Sequence, residues 1–214
     1  MEAIIFDFDF TLGDSSEPVT ECVIRALEQL GFSAPTPEKV VETIGLSLAE
    51  TLRHLTGETN KNLIRQFQDC FHAHADQIMD RRTRIYDSVP AVLRILRTAQ
   101  VRSGIVTTKL NHRIRNILAV NQLEGLIDVI VGADDVAHTK PHPEGLLLAL
   151  QKLRADPMSA VYVGDHLVDA QAASNAGIPF IAVLSGRHVG SAFWALPHVA
   201  IVESVRDVPG VLSL

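Results

Sequence analysis

Residues 4–15 read IIFDFDFTLGDS, and this stretch decides how the rest of the chain is interpreted. The continuous apolar run at residues 3–8 is typical of a short strand that is covered on both faces in a parallel sheet. Asp7 and Asp9 lie at the end of this run, where a buried carboxylate without a partner is strongly destabilising. The sequence therefore predicts that positive charge meets these two carboxylates.

Strand and helix patterns alternate after residue 85. The strand-like segments are RSGIVTT, IDVIVGA, AVYVGD, PFIAVL and VAIV. The helix-like segments between and after them begin at Ser88 and cover 111–120, 143–153, 167–176 and 204–208. Short connections between alternating elements predict an α/β fold, a doubly wound, Rossmann-like parallel sheet.

Residues 15–85 differ from the rest because every periodic segment in them is helical. Val19, Val23, Ala26 and Leu30 recur at helical spacing, and further helix-like segments follow at 37–43, 47–55 and 60–79. We therefore predict an α/β core formed by 1–14 and 86–214, with a helical cap domain, 15–85, inserted after the first strand.

Composition excludes several classes of partner. The chain has 214 residues and a formal net charge of −6, which offers no basic surface for nucleic acid. It has no apolar run of about 20 residues, the length of a membrane span, so we expect no membrane partner. Cys22 and Cys70 have no metal-ligand spacing and are interpreted as packed thiols of a cytoplasmic protein.

The chemically active side chains cluster at predicted strand ends. In an open parallel sheet, ligands bind outside the carboxyl ends of the strands. The residues expected there, or in the loops that follow, are Asp7, Asp9, Thr107, Thr108, Lys140, Asp165 and Asp169. Taken singly, Asp165 also fits a helix N-cap and Thr107 a turn hydroxyl.

Four segments together resemble the haloacid dehalogenase superfamily, and within it the phosphoglycolate phosphatase-like members with a small helical cap. DFDFTL resembles the first motif of the family and IVTTK the second, whose strand ends in Thr or Ser. KPHPEGLLLAL resembles the third motif, and VYVGDHLVDAQAASNAG the fourth. The resemblance covers residues 4–177, and its one departure is Phe10, where many relatives have glycine. We expect this ring to narrow the space for the substrate or to contact the cap.

The resemblance implies a Mg²⁺-dependent phosphatase that acts through an aspartyl-phosphate. Asp7 would be the nucleophile, and Asp9 would protonate the leaving group and then activate water. Mg²⁺ suits this many carboxylates and would be held by Asp7, the backbone carbonyl of Asp9, and Asp165. Asp169 would bind the metal directly, act through water, or orient other ligands.

The resemblance also assigns the phosphate and specificity residues. Thr107, Thr108 and Lys140 would bind the substrate phosphate. In the cap, TIGLSLAE resembles a specificity loop, so that Gly45 and Ser47 would contact substrate. A helix N-cap is the alternative role for Ser47.

Three functions fit these residues. The first is a phosphatase for a small phosphorylated metabolite similar to phosphoglycolate, acting as a monomer or homodimer. The second is a sugar-phosphate mutase of the β-phosphoglucomutase type, and the third is a catalytically silent binding protein. The acid at Asp9 argues against a dehalogenase, because a departing halide needs no proton. The pair Asp7 and Asp9 argues against a silent protein.

Overall fold

The computed structural model describes residues 1–214. The strands are β1 (Ala3–Phe6), β2 (Gly13–Asp14), β3 (Arg84–Ile85), β4 (Arg102–Val106), β5 (Val129–Val131), β6 (Ala160–Gly164), β7 (Phe180–Val183) and β8 (Ala200–Val202). The helices are α1 (Ser16–Gln29), α2 (Pro37–Val41), α3 (Leu48–Thr56), α4 (Lys61–Arg82), α5 (Val89–Thr98), α6 (Asn111–Val120), α7 (Glu144–Leu153), α8 (Leu167–Ala176) and α9 (Val208–Val211).

Six strands form one sheet in the order β5-β4-β1-β6-β7-β8. Every neighbouring pair in it is parallel. Ala3 and Ile5 of β1 pack in a core cluster with α7 and α8, while Ile4 and Phe6, on the opposite face, are also fully buried. Burial on both faces explains why β1 has no polar residue. The prediction of an α/β doubly wound parallel sheet is confirmed.

The position of β1 determines where a ligand can bind. β1 pairs with β4 on one side and with β6 on the other. The chain therefore builds β4 and β5 to one side of β1 and later returns to build β6, β7 and β8 on the other. Such a reversal of strand order opens a crevice at the carboxyl ends of the central strands. The loops after β1, β4 and β6 thus converge.

Contacts within the chain separate two compact units, 1–14 with 85–214, and 15–84. The predicted core and cap have almost these bounds; that the helical unit acts as a cap stays a prediction. In the helical unit, α1 and α4 bury apolar stripes, which include Val23 and Leu27 of α1 and Phe67 and Phe71 of α4.

The C-terminal segment differs in detail from the predicted helix at 204–208. A short 3₁₀ turn covers Val205–Asp207, and α9 follows with Pro209 in its first turn. Proline is accepted there because the first helical N–H groups have no partner within the helix. None of the helices has both the length and the apolar character needed to cross a membrane.

Candidate active site

Asp7 directly extends the central strand. Its backbone N–H donates to the carbonyl of Val163 at 2.8 Å, so the ladder between β1 and β6 continues through this residue. Its carboxylate is buried, and Oδ1 lies 2.8 Å from Nζ of Lys140. Lys140 comes from the segment between β5 and α7 and is itself buried. The positive charge predicted at the end of β1 is thus supplied in part by a lysine 133 residues further along the chain.

Lys140 is held by a second carboxylate. Its Nζ lies 2.5 Å from Oδ1 of Asp169, and this same oxygen accepts a hydrogen bond from the Tyr162 hydroxyl at 3.0 Å. The other oxygen of Asp169 accepts from the backbone N–H of His166 at 3.1 Å, which completes a capping box at the start of α8. Both oxygens of Asp169 therefore have partners within the protein.

Asp165 lies at the end of β6, and its negative charge has little direct compensation. The hydrogen bond that it accepts from the Thr11 hydroxyl is long, at 3.4 Å, and the residue is only 4% exposed. The backbone of Gly186 passes so close that a Cβ added there would lie 2.0 Å from Oδ2 of Asp165. Glycine is therefore required at 186 for this carboxylate to occupy its position.

Three carboxylates and one ammonium group meet at this point. Oxygens of Asp7, Asp165 and Asp169 all lie within 4.8 Å of one another. Burial, with repulsion from Asp169, raises the pKa of Asp7 to about 7 and that of Asp165 well above its usual value. Burial also opposes the charge on Lys140, but attraction to Asp169 and Asp7 outweighs it and raises the lysine pKa. His166 adds no positive charge, because burial lowers its pKa to about 4.

The donor set of this cluster fits a magnesium ion. Asp7 and Asp165 offer hard oxygen ligands, and their pKa values are raised by burial and by repulsion between carboxylates, which Lys140 alone does not offset. Mg²⁺ prefers one or two carboxylates and completes its shell with water and phosphate oxygens. Asp169 fits this role less well, because its oxygens already bind Lys140, Tyr162 and His166.

Asp9 has its own cation, Lys109. Nζ of Lys109 lies 2.8 Å from Oδ2 of Asp9, and the exposed fractions of the two side chains are 9% and 6%. Asp9 belongs to a tight turn after β1, in which the N–H groups of Leu12 and Gly13 donate to the carbonyl of Phe8. Lys109 thereby offsets the negative charge of Asp9, although this charge still repels the carboxylates of Asp7 and Asp165.

Phe10 adopts a strained backbone conformation in the same turn. Its φ of +56° is in the left-handed region, where a side chain other than glycine or asparagine is uncommon. Its carbonyl accepts a hydrogen bond from the Ser185 hydroxyl at 2.5 Å, and its N–H donates to the carbonyl of Gly13 at 2.7 Å. The glycine noted in many relatives is the residue that this conformation favours.

The two threonines follow β4. Thr107 is buried, and its hydroxyl oxygen accepts from the N–H of Lys109 at 3.2 Å, which is the turn role considered from the sequence. The hydrogen of this hydroxyl remains available to donate to a ligand oxygen. Thr108 is partly exposed at the same strand end.

The two predicted specificity residues belong to the helical unit. Gly45 has a φ of +101°, a conformation that favours glycine. Ser47 is the N-cap of α3: its hydroxyl oxygen accepts from the N–H of Glu50, and the Glu50 carboxylate accepts from the N–H of Ser47. The alternative capping role thus accounts for Ser47, and contact of either residue with substrate stays a prediction.

Sequence reasoning missed Lys109, Tyr162 and Gly186. Lys109 stands directly after the two threonines, and a lysine so close to a strand end was a usable signal. Tyr162 lies within a fully buried strand, where a phenolic hydroxyl requires a partner. The close approach of Gly186 to Asp165 has no local signal in the sequence.

Comparison with known proteins shows the family of this chain. The family model described as Haloacid dehalogenase-like hydrolase matches residues 4–183. A protein named Pyrophosphatase PpaX from Bacillus thuringiensis (strain Al Hakam) is 33% identical over 190 residues, which cover 87% of this chain and 86% of the relative.

Solved structures agree with this assignment. A protein from Bacteroides fragilis described as a haloacid dehalogenase-like hydrolase has a TM-score of 0.93 at 35% identity and covers 96% of this chain and 98% of its own. A protein from Haemophilus somnus 129PT, described as a predicted phosphoglycolate phosphatase, shares the fold with a TM-score of 0.84 at 21% identity, over 99% of this chain and 98% of its own. The resemblance seen in the four motifs is confirmed, and the chain belongs to the haloacid dehalogenase-like hydrolase family.

Proposed function

We propose that this protein is a Mg²⁺-dependent phosphatase that hydrolyses a small phosphorylated metabolite through an aspartyl-phosphate on Asp7. The observation that carries the proposal is the buried Asp7 carboxylate, which lies 2.8 Å from Lys140 at the end of the central strand. A buried carboxylate with a raised pKa is costly to the fold, and such sites are characteristic of catalysis.

In the first step, an oxygen of Asp7 attacks phosphorus, and the bond between phosphorus and the leaving oxygen breaks. Asp9 donates a proton to that oxygen, so the product departs as an alcohol. In the second step, water attacks the phosphorus of the acyl phosphate, Asp9 accepts a proton from it, and Asp7 is released as a carboxylate. The side chain of Asp9, positioned by Lys109 at 2.8 Å, serves both steps.

Lys140 and the loop after β4 bind the phosphate. Lys140 is kept charged by Asp7 and Asp169, and it reduces the repulsion between the nucleophile and the phosphate oxygens. The Thr107 hydroxyl and backbone N–H groups of Thr108, Phe8 and Asp9 would donate to the same oxygens.

Asp7, Asp165 and the backbone carbonyl of Asp9 would hold Mg²⁺, which supplies the positive charge that allows a carboxylate to approach a phosphate dianion. We assign Asp169 to positioning Lys140 instead of to direct metal binding. The 2.5 Å contact with Nζ and the hydrogen bonds from Tyr162 and His166 support this assignment.

Two substrate classes are compatible with these residues. A phosphate monoester similar to phosphoglycolate follows from the sequence motifs. Pyrophosphate is the second candidate, because a 33% identical relative is named a pyrophosphatase. The two differ at the leaving group: orthophosphate departs far more readily than an alkoxide without protonation, so Asp9→Asn should damage monoester hydrolysis more than pyrophosphate hydrolysis.

The decisive experiment measures phosphate release from an aryl phosphate, phosphoglycolate, pyrophosphate and several sugar phosphates, with Mg²⁺ or with EDTA. We expect Mg²⁺-dependent turnover that Asp7→Asn abolishes. Turnover by Asp7→Asn at the wild-type rate would refute the nucleophile. Interconversion of sugar-phosphate isomers without net phosphate release would favour the mutase. Binding of a phosphorylated compound without turnover of any substrate would favour the silent protein.

A further inference from the structure

A second group of potential metal ligands lies outside the carboxylate cluster, on the segment between β5 and α7. Nδ1 of His138 is 3.0 Å from Oε2 of Glu144, and Nδ1 of His142 is 3.8 Å from the same oxygen. The two imidazole rings lie with their centroids 4.7 Å apart. One ligand atom from each of the three residues lies within 4.8 Å of the other two. The proposed phosphatase reaction uses none of these side chains.

The backbone that carries these ligands is held in place. The Glu144 carboxylate accepts hydrogen bonds from the N–H groups of Ala137 and His138, at 2.8 and 3.0 Å. The carbonyl of Pro141 accepts from the side chain of Asn175 at 2.9 Å. The hydrogen bond from Ala137, followed by that from the His138 ring, lowers the pKa of Glu144, so this carboxylate is ionised at neutral pH. Hence the site presents two imidazoles and one carboxylate on an ordered loop.

We propose that His138, His142 and Glu144 form a binding site for Zn²⁺ or a similar transition-metal ion. Tetrahedral Zn²⁺ with bonds of about 2.0–2.1 Å places neighbouring ligand atoms about 3.4 Å apart. The two separations between Oε2 of Glu144 and the imidazole nitrogens, 3.0 and 3.8 Å, lie on either side of that value. On binding, the proton on Nδ1 of His138 moves to Nε2, and the long hydrogen bond that Nδ1 of His142 accepts from the N–H of Glu144, at 3.3 Å, breaks. Two neutral imidazoles then ligate the ion, and water fills the fourth position.

Exposure and ligand type distinguish this site from the proposed Mg²⁺ site. The exposed fractions of the three side chains are 67% for His138, 51% for His142 and 33% for Glu144, so an ion reaches them from solvent. Imidazole nitrogen favours Zn²⁺, Ni²⁺ or Cu²⁺, whereas an all-oxygen set favours Mg²⁺. The two sites therefore select different ions from the same solution.

An ion bound at this site should stabilise the loop that carries Lys140. Lys140 lies between the two histidines in sequence, and its Nζ contacts Asp7 and Asp169. An ion held by His138 and His142 ties together the two sides of the loop that positions Lys140. Binding should therefore raise the melting temperature of the protein, because the ion binds the folded loop and not the unfolded chain.

The test uses the full chain without an affinity tag, stripped of metal and then kept in excess Mg²⁺ so that the oxygen ligands are saturated. Zn²⁺ binding is measured by titration calorimetry, and Co²⁺ serves as a spectroscopic probe, because tetrahedral Co²⁺ absorbs much more strongly than octahedral Co²⁺. The test variant is His138→Ala with His142→Ala. The matched control is His54→Ala with His198→Ala, which removes two other exposed histidines.

We expect one Zn²⁺ per chain in the wild type and in the control variant, a strong Co²⁺ absorption band, and a higher melting temperature with Zn²⁺. The His138 and His142 double variant should bind Zn²⁺ at least about tenfold more weakly, and its Co²⁺ band should be lost. A circular dichroism spectrum identical to that of the wild type would show that the double variant is folded. Zn²⁺ affinity equal in the wild type and this variant, or no Zn²⁺ binding by the wild type, would overturn the proposal.

Discussion

The buried Asp7 carboxylate should make the metal-free protein lose stability as pH rises, and Asp7→Asn should remove the part of that loss that is due to Asp7; the part due to Asp165, whose pKa is also raised, remains. Asparagine has nearly the same shape but cannot ionise, so the substitution deletes the charge with little change in packing. Lys140 keeps an anionic partner in the variant, because Asp169 lies 2.5 Å from its Nζ. The comparison therefore measures the cost of ionising Asp7, which includes the repulsion between its charge and Asp165.

The magnitude follows from the shift in the pKa of Asp7. Burial and the nearby Asp169 raise this pKa from 3.8 to about 7 in the folded protein. Because the folded pKa is the higher one, the folded state binds the proton more tightly. Its contribution to stability is complete below pH 3.8 and is lost as pH rises through about 7. A difference of this size corresponds to about 4 kcal/mol, at 1.36 kcal/mol per pKa unit.

The assay is urea unfolding followed by circular dichroism, at about pH 5 and about pH 8. Samples contain either EDTA or saturating Mg²⁺. In EDTA, the free energy of unfolding of the wild type should fall by a few kcal/mol more than that of Asp7→Asn between the two pH values. At the higher pH, Mg²⁺ should stabilise the wild type more than the variant, because the ion neutralises the Asp7 charge.

Identical pH dependence of wild type and variant in EDTA would refute this reasoning, since the Asp7 carboxylate would then carry no cost. Equal stabilisation of both proteins by Mg²⁺ would remove Asp7 from the proposed metal ligands. Asp207→Asn provides a matched control, because this carboxylate lies in the C-terminal 3₁₀ turn, away from the cluster.

Three further substitutions test other parts of the site. Tyr162→Phe removes the hydroxyl that donates to Asp169 at 3.0 Å. We expect a loss of about 1.5–3 kcal/mol in the free energy of unfolding and a lower kcat with KM unchanged. An unaltered kcat would contradict a role of Tyr162 in positioning Asp169. Lys109→Met leaves Asp9 buried without its cation. We therefore expect about 3–5 kcal/mol of destabilisation in urea unfolding and slower turnover of monoesters. A variant as stable as the wild type would show that the ion pair is dispensable. Phe10→Gly replaces a phenylalanine in the left-handed backbone region with the residue that a φ of +56° favours. The order of turnover rates on a panel of phosphorylated substrates should change. An identical order would exclude the Phe10 ring from substrate selection.

The fold was predictable because its signals are local. Apolar runs identify the buried strands, and apolar spacing predicted helices at 111–120 and 167–176, the bounds that α6 and α8 have in the structure. The end of the chain was less predictable, because Pro209 and Gly210 interrupt helical periodicity and a 3₁₀ turn precedes a single turn of α-helix.

Part of the candidate site was predictable because its residues directly follow strands. Asp7, Thr107 and Asp165 follow apolar strands, and parallel pairing of β1 with β4 and β6 brings these strand ends together. Lys109 also stands near a strand end, but its pairing with Asp9 could not be predicted from that position. Lys109 reaches Asp9 through the conformation of two loops, and no periodic pattern encodes that contact.

The sequence alone predicted the parallel sheet and the inserted helical segment, because periodicity and residue type act over short distances along the chain. It also identified the acids at the strand ends and the lysine in the loop after β5. Tertiary structure alone decided how the charges are shared: Lys140 between Asp7 and Asp169, and Lys109 on Asp9. The same is true of the raised pKa of Asp7, which depends on burial and on a carboxylate 162 residues away. Electrostatic free energy depends on distance through space and on exclusion of water, and both exist only once the strands have paired.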